Sequence, residues 1–160
     1  MLLLFISLFS VSYFVQAVDA PMVSIPSISV PSIIAQDIEI QKAYIRETLP
    51  GNQISSAYMT IVNHGNKAIK LVSITSNVSP RIEIHAHTMA NGMMKMEQLD
   101  AISVKANAQV LLQPYGLHLM IFNLKKGLKA GQVVALKLHF ADQQVVSINV
   151  PVQSLSKQKH

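Results

Sequence analysis

An all-β fold, a β-sandwich or Greek-key barrel, follows from three features of this sequence. Short runs rich in Val, Ile, Leu and Tyr are separated by Gly, Asn, Pro and Ser. Several runs alternate apolar and polar residues: Val134, Leu136, Leu138 and Phe140 share one face, Lys137 and His139 the other. No window of helical length carries an apolar stripe at the 3.6-residue period. Closely spaced strands with short turns then favour two packed sheets or a closed barrel.

The first segment, Met1 to Ala20, has no Lys or Arg, and Leu2 to Val15 is almost wholly apolar. It falls short of the roughly 20 apolar residues of a membrane-spanning helix. Val15-Gln16-Ala17 and Val18-Asp19-Ala20 offer small-x-small cleavage sites, so residues 1–20 are expected to be an export signal cut after Ala17 or Ala20. Cleavage after Ala17 is favoured, because Pro21 follows Ala20 directly. An uncleaved membrane anchor is the alternative. Residues 21–36 carry Pro21, Pro26 and Pro31 among serines, which predicts an extended linker whose Ile and Val residues could add to the domain as an edge strand.

The domain itself is expected over residues 37–153, with 154–160 a polar tail. Its strands are read at Ile38–Arg46, Ser55–Asn63, Ala68–Thr75, Arg81–Thr88, Met93–Leu99, Gln109–Gln113, Leu117–Asn123, Val133–Phe140 and Gln144–Val150. A chain of 160 residues with half of them hydrophobic fits one such domain and excludes disorder.

Lys and Arg number 13 against 8 Asp and Glu, a net charge of +5. The basic residues are scattered apart from Lys125, Lys126, Lys129 and the tail lysines 157 and 159, so no nucleic-acid stripe forms. Cysteine is absent, which removes disulfides, thiolate zinc sites, iron–sulfur centres, cysteine nucleophiles, lipid-anchoring thiols and blue-copper sites. Methionine, in contrast, occurs 8 times and histidine 6 times, and Met89, Met93, Met94 and Met96 fall close together.

The informative stretch runs from Pro80 to Leu124. Asn91-Gly92 between two strand-like runs signals a hairpin. Residues two apart share a face, which groups Glu83, His85 and His87, and likewise Met94 and Met96. A two-residue turn sets Met96 opposite His87; a loop over residues 89–92 sets it opposite His85. Further on, His118 and Met120 share one face while Leu117, Leu119 and Ile121 share the other. His85, Met96, His118 and Met120 could thus supply two imidazoles and two thioethers. Soft, uncharged thioethers suit Cu(I) far better than zinc, magnesium or calcium. A Met cluster beside apolar strands serves equally well as adaptable packing or surface.

The spacing His85-x10-Met96-x21-His118-x-Met120 resembles the ligand pattern of the PCu(A)C periplasmic copper chaperones. A given histidine would meet the other three positions by chance with a probability on the order of 10⁻⁴. Ala57-Tyr58-Met59-Thr60 with Asn63 and Gly65, Pro114 with Gly116, and Gly127-Leu128 with Gly131 are similar to further landmarks of that family. The resemblance covers Ile38 to Val150. It implies a cupredoxin-like β-barrel that binds Cu(I) through His85, Met96, His118 and Met120. It further implies delivery in the bacterial periplasm to the CuA centre of cytochrome c oxidase, alongside other copper-handling proteins. Because it shares a face with His85, His87 is a candidate alternate ligand or supporting group, and Met94 a candidate supporting one. Tyr115 and Asn123 depart from the family, standing where glycine is usual. Asn tolerates a left-handed backbone, so Tyr115 is the departure that bears on loop geometry. The tail offers only His160, so a second, Cu(II) site is not carried over.

The expected role is metal transfer by ligand exchange, without catalysis, by a monomer that meets the membrane only through its N-terminal segment. No nucleophile elbow, HExxH, phosphate loop or telling carboxylate pair points to an enzyme. The competing reading is a metal-free periplasmic module that binds a partner with its Met-rich edge.

Overall fold

The computed structural model describes residues 33–35, 37–90 and 92–155. The expected export signal, most of the linker and all but the first residues of the polar tail lie outside the described residues. The fold is all-β, as the alternation predicts. Its strands are β1 (Ile33–Ala35), β2 (Ile38–Arg46), β3 (Ser55–Asn63), β4 (Ile69–Thr75), β5 (Arg81–Ala90), β6 (Met93–Leu99), β7 (Ile102–Val104), β8 (Ala108–Leu112), β9 (His118–Phe122), β10 (Val133–Phe140) and β11 (Val145–Gln153). The edge strand β1 comes from the linker and pairs antiparallel with β2.

The strand order β6-β5-β9-β3-β2-β11-β10-β4-β7 wraps around one core, with β8 beside β3. Strand β11 turns the corner: Val145 to Pro151 pair with β10, and then Val152 and Gln153 run parallel to Ile45 and Arg46 of β2. Strands that bend from one sheet into another form such corners. The core is aliphatic, with Ile38, Ile45, Ile61, Leu71, Leu119, Ile121, Leu136, Leu138 and Val150 fully buried.

The phase of β2 shows how sequence sets backbone. Ile38 and Ile40 are buried, and so are Ala43 and Ile45, so the apolar alternation slips by one residue between the two pairs. A one-residue bulge absorbs the slip: Gln41 pairs with Thr60 and Tyr44 with Tyr58, and exposed Lys42 takes a φ of 51°. Without it, one apolar pair would face away from the core.

Asn63 is a second constraint, with none of its surface exposed. Its Nδ2 donates to the carbonyls of Lys67 (2.8 Å), Lys105 (3.0 Å) and Val104 (3.2 Å), while its Oδ1 accepts from the Gly65 N–H (3.0 Å). One side chain thereby ties the β3–β4 turn to the β7–β8 turn. That accounts physically for the Asn63-x-Gly65 landmark.

Candidate metal centre

Alternation along β5 and β9 divides their side chains between two worlds. Ile84, Leu119 and Ile121 enter the core, together with Ala57 and Met59 of β3. The intervening residues stand on the outer face of the sheet. There the register sets His85 beside His118 and Glu83 beside Met120 across β5 and β9. Across β5 and β6 it sets His87 opposite Met96, and Met89 opposite Met94. The ladder closes at Ala90 and Met93, with Gly92 at a φ of 75°, so the hairpin takes the shorter of the two connections the sequence allowed.

His118 is the hub. The residue is 3% exposed, with its ring 5.1 Å from the stacked ring of His87 and 6.0 Å from that of His85. Its Nδ1 lies 2.9 Å from the Gly116 carbonyl. A carbonyl only accepts, so Nδ1 carries the proton and Nε2 keeps its lone pair for a ligand. Burial pushes its pKa below the ordinary 6.5; the Gly116 hydrogen bond opposes this, and the nearby His87 and His85 reinforce it.

The flanking groups are held just as specifically. Glu83 spans two partners, accepting from Arg81 Nε (3.0 Å) on one oxygen and from His85 Nε2 (2.8 Å) on the other. That bond protonates Nε2 of His85 and leaves Nδ1 as the available nitrogen. The Nδ1 atoms of both His85 and His87 are buried without a hydrogen-bond partner among the described residues. Orphaned buried nitrogens cost free energy unless something satisfies them, and a metal ion would. Ser56 donates its hydroxyl to the Met120 sulfur at 3.4 Å, which orients the thioether. Among the described residues no three His, Asp or Glu side chains converge as a metal-holding group. Imidazoles together with the Met96 and Met120 thioethers could supply a mixed donor set, of the kind that fits a soft monovalent ion.

Met96 and Met120 lie on strands to either side of β5, on opposite diagonals of the His85–His118 pair. Their exposure differs: Met96 is 46% exposed and Met120 half-buried. His87, weighed from sequence as an alternate or supporting group, packs more closely on His118 than His85 does. Met94 stands one pair further out. His64, hydrogen-bonded to Glu39, and His139, hydrogen-bonded to Thr75, lie outside the cluster.

The Gln113–Gly116 turn supports the site from below. Gly116 N–H donates to the Gln113 carbonyl at 3.1 Å, and Tyr115 holds a φ of 61°, the pattern of a type II turn with proline at its second position. That position favours glycine, which explains the usual residue there. Tyr115 is strained but keeps the turn, with its ring 6.3 Å from His87. The Gly116 carbonyl accepts from His118 Nδ1 and from the His87 N–H (3.3 Å), so the turn fixes two histidines at once. Asn123 is also left-handed, with a φ of 50°. Ser56, Glu83 and the Gly116 carbonyl were not singled out from sequence as parts of the site. Strand pairing is what reveals Ser56; the period of two already grouped Glu83 with His85 and His87 without giving it a role, and a carbonyl leaves no signature in a sequence.

Solved structures share this architecture. The copper-bound PCuAC domain from PmoF2 superimposes with a TM-score of 0.67 at 21% identity, over 78% of this chain and 98% of that one. At that identity the likeness speaks for the fold. Cu(I)-bound DR1885 from Deinococcus radiodurans is 27% identical, with a TM-score of 0.59, over 69% of this chain and 74% of that one. Among curated proteins, Putative lipoprotein Lxx21020 of Leifsonia xyli subsp. xyli is 27% identical over 123 residues, 76% of this chain and 73% of the relative. Protein RP573 of Rickettsia prowazekii is 32% identical over 99 residues, 61% of this chain and 55% of that protein. A family model described as Putative lipoprotein LpqE-like matches residues 38–152, nearly the whole described fold, and the chain belongs to that family, the PCuAC family.

Proposed function

We propose that this protein carries Cu(I) on His85, Met96, His118 and Met120, with His87 beside them, and hands it on by ligand exchange. The observation that carries the reading is the buried His118. Its Nδ1 is fixed on a carbonyl, and around it lie two orphaned imidazole nitrogens and an oriented thioether. Neutral ligands of moderate strength release a d¹⁰ ion stepwise to stronger thiolate or imidazole acceptors, with no electron or proton required. This is a carrier's chemistry rather than an enzyme's. Export to the periplasm through residues 1–20, and delivery to the CuA centre of cytochrome c oxidase, complete the proposal. The Cu(I)-bound DR1885 structure supports the copper reading, and the lipoprotein names of the relative and of the family model support export.

The test is an anaerobic Cu(I) competition titration against a chromogenic chelator, with Zn(II) run in parallel. One tight Cu(I) equivalent and little zinc binding are expected. His118→Ala and Met120→Ala should each weaken Cu(I) by at least about tenfold, a loss of about 1.4 kcal/mol, with the β circular dichroism kept. Unchanged affinity in both variants overturns the assignment. The exposed methionines of the β6 edge favour one other reading, a metal-free docking module. Absence of any Cu(I) equivalent above the chelator background would select it.

A further inference from the structure

Beyond the four proposed ligands, the β5–β6 hairpin carries three more methionines, and their exposure has no packing explanation. Met89 is 68% exposed, Met93 71% and Met94 59%. No residue of β6 is buried, so none of these side chains fills the core. The register sorts them. Met89 and Met94 are direct cross-strand partners on the face that bears His87 and Met96. Met93, one residue from Met94, lies on the opposite face. Directly opposed side chains have Cβ atoms about 5 Å apart, close enough for two flexible thioethers to converge on one ion. Met96 stands two residues along the same face from Met94. Exposure falls steadily along this path, from Met89 through Met94 and Met96 at 46% to His118 at 3%.

We propose that Met89 and Met94 form an outer two-thioether Cu(I) site at the hairpin tip, from which the ion steps inward to Met96 and the histidine cluster. The proposal rests on the Cu(I)-carrier reading above. Cu(I) accepts low coordination by soft sulfur donors. In the step, a lone pair of the Met96 sulfur forms a Cu–S bond as the Met89–Cu bond breaks. Copper stays Cu(I), and no proton or electron moves. An ion held two residues from Met96 is at high effective concentration for the inner ligands, so the outer pair accelerates loading without strengthening the final complex.

The three methionines make the idea testable, because two share the site face and one does not. The full chain, labelled with ¹³C at the methionine methyls, is titrated anaerobically with Ag(I), a redox-inert d¹⁰ surrogate, and followed by NMR. The first equivalent should shift Met96 and Met120. The second should shift Met89 and Met94 together and leave Met93 in place, with buried Met59 as an internal control. The double variant Met89→Leu/Met94→Leu should abolish the second event and slow Cu(I) loading by about tenfold, while Met93→Leu does neither. A second event that survives the double variant, or that moves Met93 equally, overturns the outer site. If no equivalent engages Met96 or Met120, the inner-site reading fails, and the Met89 and Met94 signals still decide the outer pair independently.

Discussion

Strands β10 and β6 are of similar length, and each is rich in apolar residues, yet they use those residues in opposite ways. Along β10, Val134, Leu136, Leu138 and Phe140 are buried while the residues between them face out. Along β6 nothing is buried, and only Leu99 at its end is partly covered. The chemistry differs in step. Strand β10 uses branched aliphatic and aromatic side chains with well-defined rotamers, whereas β6 uses Met93, Met94 and Met96. Thioethers are poor choices for specifying a core but good soft donors. Hydrophobic content alone would count the two strands as equivalent. Alternation and side-chain type separate the strand that builds the core from the strand that leaves its thioethers exposed.

The sharpest test of this division is truncation on each side. Leu138→Ala, at a fully buried position, should cost about 3 kcal/mol from lost transfer energy and the cavity left behind. Met94→Ala should stay within about 0.5 kcal/mol. Urea unfolding of both variants measures the contrast, and comparable losses would mean that β6 packs after all.

A smaller effect of opposite sign is expected at the turn under the site. Tyr115→Gly should stabilise the metal-free protein by about 0.5–1 kcal/mol. It relieves a left-handed non-glycine residue, against a gain in unfolded-state freedom. A lower urea midpoint would show that the Tyr115 ring beside His87 is worth more than the strain.

The smallest effect is the pH dependence of His118 in the metal-free protein. Its folded pKa lies below the ordinary 6.5, so below that pH the unfolded chain binds more protons than the folded one. Its contribution is fully present above about pH 6.5 and is lost as pH falls through that value toward the folded pKa. Urea unfolding of the wild type should therefore lose more stability between pH 7.5 and 5.5 than that of His118→Asn. Equal losses would mean that the ring protonates as freely as it does in water.

Much of the scaffold was legible because alternation and turn residues carry it: β2, β3, β6 and β10 lie at the residues the sequence predicts. Strand β7 escaped, since Ile102–Val104 is too short to show a period. The bulge at Lys42 was written in the phase slip between Ile40 and Ala43, but it became evident only against the pairing with β3. Within the site, the spacing of His85, Met96, His118 and Met120 could be read directly. The pairing of Met96 with His87 could not, because an Asn-Gly sequence is compatible with either hairpin length. Contacts such as Ser56 to Met120 join strands 64 residues apart, and no local pattern encodes them.

The chain contains no tryptophan and four tyrosines. Two of these lie beside the histidines, Tyr58 with its ring 6.4 Å from that of His118 and Tyr115 with its ring 6.3 Å from that of His87, and Tyr44 packs tilted against Tyr58 with ring centroids 5.0 Å apart. Tyrosine emission from the described fold would therefore arise largely beside the proposed copper site. On the Cu(I)-carrier reading, a change in tyrosine emission on loading would report occupancy in the unlabelled molecule, and its reversal would time hand-over to an acceptor.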